Sequence, residues 1–263
     1  MKNKKRLLIY IFIILLCIGF IFIPKNNTKQ DTSKPAETIV IDDPRPSIPD
    51  DPSVPEKEEV KPWDIYYKNE TSLESVRKKY DNNEIIAELY IPDLIDVYLA
   101  RATDNEYYLN HNLYRKKDIK GSEYMDYRVG LDSKQINLYG HNSSTFNIPF
   151  RKLEKFLDQE FFESHPYVIM TFDGEERAYE ILSIKEISTD YEHMKVNPTS
   201  MVEHIDKMID GAIFVRNLKY DENTRLLVMQ TCSYAHKDNY YIITAIEIDK
   251  KWFLSFFFFV YDL

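Results

Sequence analysis

The chain has 263 residues, of which 44% are apolar and 14% aromatic, and it contains only 6 Gly and 2 Cys. This composition can bury a large core, and it excludes a collagen-like chain, a chain disordered throughout and a small disulfide-stapled protein. With 43 acidic residues against 34 basic ones, the net charge is -9, and no basic surplus is left to neutralise the phosphates of a nucleic-acid partner.

The N terminus carries a basic head followed by an apolar run. Residues 7–23 form 17 uncharged positions that end at Pro24, a length at the lower limit for a helix that spans a bilayer. A cleaved signal peptide is the alternative, but no small-residue cleavage motif follows the run. The positive-inside rule keeps the N terminus in the cytoplasm and exports the rest of the chain. Residues 1–24 are therefore predicted to be a cytoplasmic tail and a single transmembrane anchor in the cell membrane.

A proline-rich segment separates this anchor from the rest of the chain. Residues 24–62 hold eight of the twelve prolines, with charged residues, Ser and Thr between them. Such a sequence supports neither a helix nor a central strand, and it is predicted to be an extended extracellular linker. The predicted organisation is an anchor at 1–24, a linker at 25–62 and one extracellular domain at 63–263.

Within that domain the hydrophobic pattern alternates between helical and strand periods. Residues 63–80 are predicted to form one or two short amphipathic helices. Two more helices are predicted, one from the spacing of apolar residues between Phe150 and Phe161, and one after the capping pattern of Ser200 and Glu203. Eight runs rich in β-branched and aromatic residues are predicted to be strands: residues 85–91, 97–101, 135–140, 167–172, 178–187, 212–217, 225–232 and 240–248.

The order of these elements indicates the fold class. Helices do not alternate regularly with the strands, which argues against a doubly wound parallel sheet. Eight short strands with inserted helices instead favour a closed, mostly antiparallel barrel, so the predicted class is mainly β within α+β.

Cys232 is the only thiol of the predicted extracellular domain, because Cys17 lies in the anchor. A lone thiol cannot form an internal disulfide. It is either a small buried apolar residue or a reactive nucleophile, and an oxidising compartment disfavours the first. Because a polar segment follows Cys232, we expect Thr231 and Cys232 to lie at the end of a strand, where side chains face a site.

A catalytic thiol requires a base, most often a histidine. Among six histidines, His141 stands out because it follows Gly140 at the end of the strand QINLYG and opens the polar segment NSST. It therefore leaves a strand for a polar loop, as Cys232 does. The GHN triplet alone is equally compatible with an ordinary turn, so the hypothesis rests on the combination of His141 with Cys232.

Four features of the chain occur in a characteristic order: DNEYYLNHNLY (104–114), GSEYMDYR (121–128), NLYGHN (137–142) followed by FRKLEKF (150–156), and the Thr-Cys pair at 231–232. Together these segments resemble a class B sortase, a membrane-anchored cysteine transpeptidase of Gram-positive surfaces. The resemblance covers about residues 83–248 and follows the order and spacing of the family.

The resemblance implies a closed eight-stranded sortase-type β-barrel with N-terminal helices and a helix-bearing insertion between strands 6 and 7, at about residues 191–211. It implies that Cys232 attacks the Thr carbonyl of a C-terminal NPxTx-type sorting signal, with His141 pairing with the thiolate and protonating the leaving amine. The protein is then transferred to an amine of peptidoglycan or lipid II. No metal or organic cofactor is implied. Substrate contacts are expected at Thr231, Gln230, Asn142, Tyr191 and Ile205.

One expected residue is missing. The family carries an Arg shortly after the nucleophile, on the next strand, where it supports the oxyanion, but here Tyr240 stands at the aligned position. Lys237, Arg216 and Arg225 are alternative sources of positive charge. The substitution leaves open a degenerate sortase that binds sorting signals without efficient turnover, and a hydrolase with the same nucleophile.

The C terminus ends in the apolar run WFLSFFFFVYDL at 252–263. This run is too short to span a bilayer. It is predicted to be a final strand packed on the barrel, with a membrane-surface contact or an interaction edge as alternatives.

Overall fold

The computed structural model describes residues 72–188 and 191–248 of the chain. All of them belong to one compact unit that spans residues 57–263. The predicted anchor, the predicted linker and the C-terminal apolar run lie outside the described residues. In the described part, no helix is both long enough and apolar enough to cross a membrane.

The described residues contain three α-helices, three short 3-10 helices and nine strands. The α-helices are α1 (Leu73–Tyr80), α2 (Gln159–Ser164) and α3 (Met201–Ile209), and the 3-10 helices are Tyr107–Leu109, Pro149–Leu157 and Glu192–Met194. The strands are β1 (Ile85–Ile91), β2 (Ile95–Ala100), β3 (Tyr124–Met125), β4 (Gln135–Tyr139), β5 (Tyr167–Phe172), β6 (Glu175–Ile187), β7 (Phe214–Val215), β8 (Leu226–Cys232) and β9 (Tyr240–Glu247).

Eight of these strands close into a barrel in the order β5-β1-β2-β3-β4-β8-β9-β6, and β6 pairs again with β5. The pairs β2–β3 and β4–β8 are parallel, and the other pairs of the ring are antiparallel. The prediction of a closed, mostly antiparallel eight-stranded barrel is confirmed. The ninth strand, β7, pairs with β6 outside the ring.

The strand predictions differ from the structure in one respect. Residues 212–217, predicted to be a barrel strand, form only the short β7. The eighth strand of the ring is instead β3, which has two residues. Two residues are too few to show the alternation that marks a strand, so this element has no signal of its own in the sequence.

The predicted helix between Phe150 and Phe161 is two helices. Residues 149–157 form a 3-10 helix, and the chain is extended at Asp158 before α2 begins. The Asp158 side chain accepts a hydrogen bond from the backbone N–H of Phe161 at 2.9 Å. This N-cap ends the first helix and starts the second.

The barrel core and the outer layer beneath α3 are separate apolar clusters. The core joins side chains from the strands, such as Leu89, Leu138 and Met229, to Phe150 and Phe156 of the 3-10 helix. On the outer face of β6, β8 and β9, the α3 residues Met201, Ile205 and Met208 pack against Leu182, Val228 and Ile242. The insertion that carries α3 follows β6, where the family resemblance places it.

The capping pattern predicted for α3 is present. Ser200 is the N-cap, and its side-chain oxygen accepts a hydrogen bond from the backbone N–H of Glu203 at 3.2 Å. Glu222 reinforces this end of the helix, because its carboxylate accepts from the Ser200 hydroxyl and from the backbone N–H of Met201. These bonds satisfy N–H groups that the first turn of a helix leaves unpaired.

Replacement of Ile205 by Ala is expected to lower the free energy of unfolding by about 2–5 kcal/mol, because a fully buried side chain leaves a cavity under α3. Denaturant unfolding followed by circular dichroism measures the change. Val202→Ala, at a half-buried position on the same helix, is the control and should cost less. Equal stability of the Ile205 variant and the parent would contradict the packing of α3 on the barrel.

Candidate active site

The parallel pairing of β4 with β8 brings His141 and Cys232 to the same end of the barrel. Tyr139 is in register with Gln230, and the backbone N–H of Gly140 continues the ladder by donating to the Gln230 carbonyl at 3.2 Å. The Thr231 hydroxyl donates to the Gly140 carbonyl at 3.0 Å. His141 and Cys232 are the residues that follow Gly140 and Thr231, so they lie at the ends of two adjacent strands.

Cys232 and Tyr240 lie on one face of the sheet. Met229 points into the barrel core, and strand alternation therefore directs the Cys232 side chain to the outer face. Tyr240 pairs directly with Cys232 across β8 and β9, and its ring packs against the outer cluster beneath α3. The third predicted catalytic position, His141, follows the end of β4, the strand paired with β8 on the other side.

A backbone carbonyl fixes the orientation of the His141 ring. His141 Nε2 lies 2.6 Å from the carbonyl oxygen of Leu109. Because a carbonyl oxygen only accepts hydrogen bonds, Nε2 carries the proton and donates it. In a neutral imidazole held this way, Nδ1 is the acceptor nitrogen.

Two glycines make this arrangement sterically feasible. A Cβ atom on Gly121 would lie 2.5 Å from the Tyr108 carbonyl oxygen and 2.8 Å from that of Leu109, and Gly121 has φ +61. A Cβ atom on Gly140 would lie 2.6 Å from the ring of Phe150. Since real contacts are not this short, only glycine lets these segments pass so closely. Gly121 therefore allows the close packing around the Leu109 carbonyl that holds His141. Gly140 allows the segment that carries His141 to pass close to Phe150.

The Cys232 thiol interacts with the residue that follows His141. Although Cys232 is exposed as a residue, its thiol is partly shielded, and this burial raises the pKa of Cys232 above its ordinary value. A hydrogen bond from the backbone N–H of Asn142 acts in the opposite direction. The Asn142 side chain also donates to the Cys232 carbonyl oxygen at 2.8 Å. Asn142 therefore contacts both the thiol and the carbonyl oxygen of Cys232.

A polar network joins the insertion to the nucleophile strand. His193 Nε2 is 2.8 Å from Gln230 Oε1. The Gln135 amide donates to the His193 carbonyl at 2.6 Å, and Gln135 Oε1 accepts from His204 Nε2 at 2.7 Å. His204 Nδ1 lies 2.9 Å from the carboxylate of Glu192. His193, His204 and Gln135 are almost fully buried, so these hydrogen bonds form in a low-dielectric environment and hold the insertion on the barrel.

A second polar cluster holds the connection between β8 and β9. Glu186 Oε1 accepts from the Ser233 hydroxyl at 2.6 Å and from the Asn239 amide at 3.2 Å, and it lies 2.9 Å from His236 Nδ1. Glu186 is near the end of β6, so this carboxylate ties the segment after Cys232 to the strand that leads into the insertion.

The arginines considered as replacements lie away from the thiol. Arg225 precedes β8 at the end opposite Cys232, where it contacts the Leu131 carbonyl and Glu247. Arg216 donates to the carbonyl oxygens of Ile181 and Phe162, at 3.0 and 2.7 Å. Lys237 is exposed in the connection between β8 and β9. Of these three basic residues, Lys237 alone lies close to Cys232 in sequence. The residue paired with Cys232 across β8 and β9 is Tyr240.

The residues predicted to bind substrate differ in their accessibility. Gln230 is half-buried on the same face as Cys232, whereas Thr231 is buried and bonds to Gly140. Tyr191 is 63% exposed beside the 3-10 helix of the insertion, but Ile205 has no exposed surface. Ile205 therefore presents no side-chain surface to a ligand unless α3 moves. In the described ranges, no group of three or more His, Cys, Asp or Glu side chains is arranged to hold a metal ion.

Sequence reasoning missed two contributors to the site. Leu109 acts through its carbonyl oxygen, and a backbone group leaves no mark on residue type. Tyr234 donates from its hydroxyl to the Asn142 carbonyl at 3.3 Å and accepts from the Ser144 N–H at 3.2 Å. In the sequence, the sign that Tyr234 belongs to the site is its position two residues after Cys232.

Comparison with known proteins gives two sequence relatives. No family model matches the chain. It is 29% identical over 158 residues to Sortase B of Listeria monocytogenes, which covers 57% of this chain and 63% of the relative. It is 28% identical over 145 residues to Sortase B of Staphylococcus aureus, which covers 51% of this chain and 57% of the relative. The chain thus aligns with less than two thirds of either relative's length.

Solved structures share the fold. Clostridium perfringens sortase B has a TM-score of 0.63 at 24% identity, covering 68% of this chain and all of that one. A Staphylococcus aureus sortase B–substrate complex has a TM-score of 0.61 at 22% identity, covering 67% and 84%. A Streptococcus pyogenes class B sortase involved in pilus biogenesis has a TM-score of 0.62 at 19% identity, covering 69% and 100%.

Replacement of Gly140 by Ala is expected to destabilise the protein by about 1–3 kcal/mol, because the added methyl group overlaps the Phe150 ring in a packed core. Thermal or denaturant unfolding measures the loss. Gly130→Ala is the matched control, since its Cβ would come within 3 Å only of the Asp132 side-chain carboxylate. A Gly140 variant as stable as the Gly130 variant would contradict the close approach.

Alkylation of Cys232 is expected to reach half its maximal rate at a pH above that of an ordinary cysteine. The reason is that partial burial raises the pKa of its thiol, and only the thiolate reacts. Iodoacetamide rates across pH, measured in a Cys17→Ala background, give the profile. The same protein unfolded in denaturant provides the reference, and a folded profile at or below the reference would contradict the shift.

Proposed function

We propose that this chain, a class B sortase by its sequence similarity and its fold, acts as a cysteine transpeptidase on proteins that carry a C-terminal sorting signal. The single observation that carries the proposal is the parallel pairing of β4 with β8, after which His141 and Cys232 follow adjacent strand ends. A thiol beside an oriented imidazole is the arrangement that nucleophilic acyl transfer requires.

The geometry supports a two-step reaction. His141 Nδ1 takes the proton of Cys232, and the thiolate attacks the Thr carbonyl of the signal. The resulting imidazolium returns the proton to the leaving amine as the peptide C–N bond breaks, which leaves a thioester on Cys232. An acceptor amine then attacks the thioester and loses its proton to His141 as the C–S bond breaks and the new amide leaves. The Cys232 thiolate finally takes this proton back from the His141 imidazolium.

The substrate and acceptor are proposed from the relatives. One similar structure is a Staphylococcus aureus sortase B–substrate complex and another is a sortase B complexed with triglycine. By this similarity, an NPxTx-type peptide is the substrate and a peptidoglycan or lipid II amine is the acceptor. Two residues are the best-placed candidates for contact with the peptide. Gln230 is half-buried near Cys232, and Tyr191 is exposed on the insertion.

The location of the enzyme is proposed from the sequence. A basic head and an apolar run at 1–24 support a single-pass anchor with its N terminus inside. The proline-rich linker at 25–62 then holds the catalytic domain outside the cell, where sorting signals and wall amines are available.

Tyr240 supports a second candidate function. It pairs with Cys232 at the position where the family carries Arg, and a phenol offers one hydrogen bond without a positive charge. Loss of one oxyanion donor typically slows acyl transfer about 100- to 1000-fold. A chain with this substitution suits a protein that binds sorting signals and turns them over slowly.

Cleavage of fluorogenic sorting-signal peptides by the full-length chain in detergent micelles tests these functions. The parent is expected to cleave, Cys232→Ala to abolish both cleavage and acyl-enzyme formation, and Tyr240→Phe to reduce the rate about 10-fold or more if its hydroxyl supports the oxyanion. Cys17→Ala is the control that removes the other thiol and should leave the rate unchanged.

Full activity of Cys232→Ala would exclude the transpeptidase. If the parent is silent and Tyr240→Arg cleaves, the second candidate holds. Adding an amine acceptor such as triglycine separates transfer from hydrolysis, because transfer yields a glycine-extended product whereas hydrolysis yields a free carboxylate.

A further inference from the structure

The segments that carry His141 and Cys232 are fastened to each other by hydrogen bonds in both directions. From the His141 side, the Asn142 amide nitrogen donates to the carbonyl oxygen of Cys232 at 2.8 Å. From the Cys232 side, the Tyr234 hydroxyl donates to the carbonyl oxygen of Asn142 at 3.3 Å. Each segment thus holds the backbone of the other immediately beside its catalytic residue.

The His141 side of this contact is rigidly supported. The Asn142 amide nitrogen also donates to Glu154 at 2.6 Å, and Asn142 Oδ1 accepts from the backbone N–H of Ser143 at 2.8 Å. Arg151 donates to the Ser143 carbonyl at 2.6 Å. Glu154 and Arg151 belong to the 3-10 helix Pro149–Leu157, which is packed into the barrel core through Phe150 and Phe156. The loop after His141 is therefore a fixed reference for the nucleophile.

The Cys232 side depends on fewer contacts. The Glu186 cluster ties the segment after Cys232 to β6, which lies away from His141. Of the side chains that follow Cys232, Tyr234 makes the contact in the direction of His141, and its hydroxyl also accepts from the Ser144 N–H at 3.2 Å. The Tyr234 side chain is 57% exposed, so it contributes little apolar burial. Its hydroxyl is the part of this side chain that reaches the segment after His141.

We propose that Tyr234 is a positioning residue, which sets the distance between the Cys232 thiol and the His141 imidazole. It does so by tying the nucleophile loop, the connection between β8 and β9 at residues 233–239, to the backbone of Asn142 and Ser144. The inference deepens the proposed transpeptidase function and rests on it. A displacement of about 1 Å between reacting groups can cost about 100-fold in rate. Loss of the Tyr234 tie is expected to cause part of such a loss in rate.

Tyr234→Phe removes the hydroxyl and keeps the ring. It is expected to lower kcat for peptide cleavage about 5- to 20-fold with KM within twofold of the parent, because the tie acts on the reacting groups and not on peptide binding. Tyr114→Phe is the matched control: Tyr114 is 50% exposed, its ring packs on Tyr80, and its hydroxyl forms no hydrogen bond within the described residues. The control should leave both constants unchanged.

A second measurement does not depend on catalysis. In the full-length Cys17→Ala background, Tyr234→Phe should shift the pH profile of Cys232 alkylation away from that of the parent. The reason is that the tie holds the thiol in the place where burial raises its pKa and the hydrogen bond from the Asn142 N–H lowers it. A purely structural loss would lower the melting temperature without moving this profile.

The two measurements separate the inference from the proposed function. If no variant cleaves peptide but Tyr234→Phe still shifts the alkylation profile, positioning holds and the transpeptidase proposal fails. If the parent cleaves but Tyr234→Phe matches Tyr114→Phe in both kcat and alkylation, positioning is wrong. A rise in KM at constant kcat overturns it as well, since Tyr234 would then be contacting the substrate.

Discussion

The parallel pairing of β4 with β8 is the constraint on which the site depends. It joins strand ends whose residues are 91 positions apart in sequence, as the hydrogen bond between Thr231 and Gly140 shows. Because side chains alternate along a strand, a slip of one residue would turn Cys232 into the barrel. Burial of Leu138 and Met229 in the core excludes that slip. The energy that fixes the positions of His141 and Cys232 is therefore the packing energy of the barrel core.

Backbone groups build as much of the site as side chains do. His141 takes its orientation from the Leu109 carbonyl, and Gly121 lets its own segment pass close to that carbonyl. Gly140 plays the same part for the approach of β4 to Phe150. These contacts give a physical reason for the motifs at 104–114, 121–128 and 137–142, which lie apart in sequence. Each motif contributes one residue to the packing around His141: Leu109, Gly121 and Gly140. An imidazole held through a backbone carbonyl keeps one ring orientation, with Nε2 as the donor.

Sequence reasoning was most successful where a pattern is local and repeated. The limits of β1 and β5 match the predicted ranges, and Ser200 caps α3 as its spacing indicates. Cys232 and His141 were found because each ends an apolar strand and opens a polar loop. Failures have the opposite character: β3 is too short to show a period, Asp158 interrupts one amphipathic pattern with a cap, and Leu109 contributes a group that every residue possesses. Long-range pairing decides the cases of β3 and Leu109, and no local window contains it, whereas the Asp158 cap rests on a hydrogen bond three residues along the chain.

The charge distribution around the thiol bears on how this site works. Arg225 and Arg216 are engaged with carbonyl oxygens and carboxylates elsewhere on the barrel, and Arg151 supports the loop after His141. Among described residues, the partner paired with Cys232 is therefore the neutral phenol of Tyr240. A neutral donor stabilises an oxyanion only when its geometry is exact, because no long-range attraction compensates for misplacement. With a neutral phenol at this paired position, the site depends more strongly on preorganisation of its neutral groups. The ties through Asn142, Tyr234 and Glu186 supply that preorganisation, since they hold the nucleophile loop on both sides.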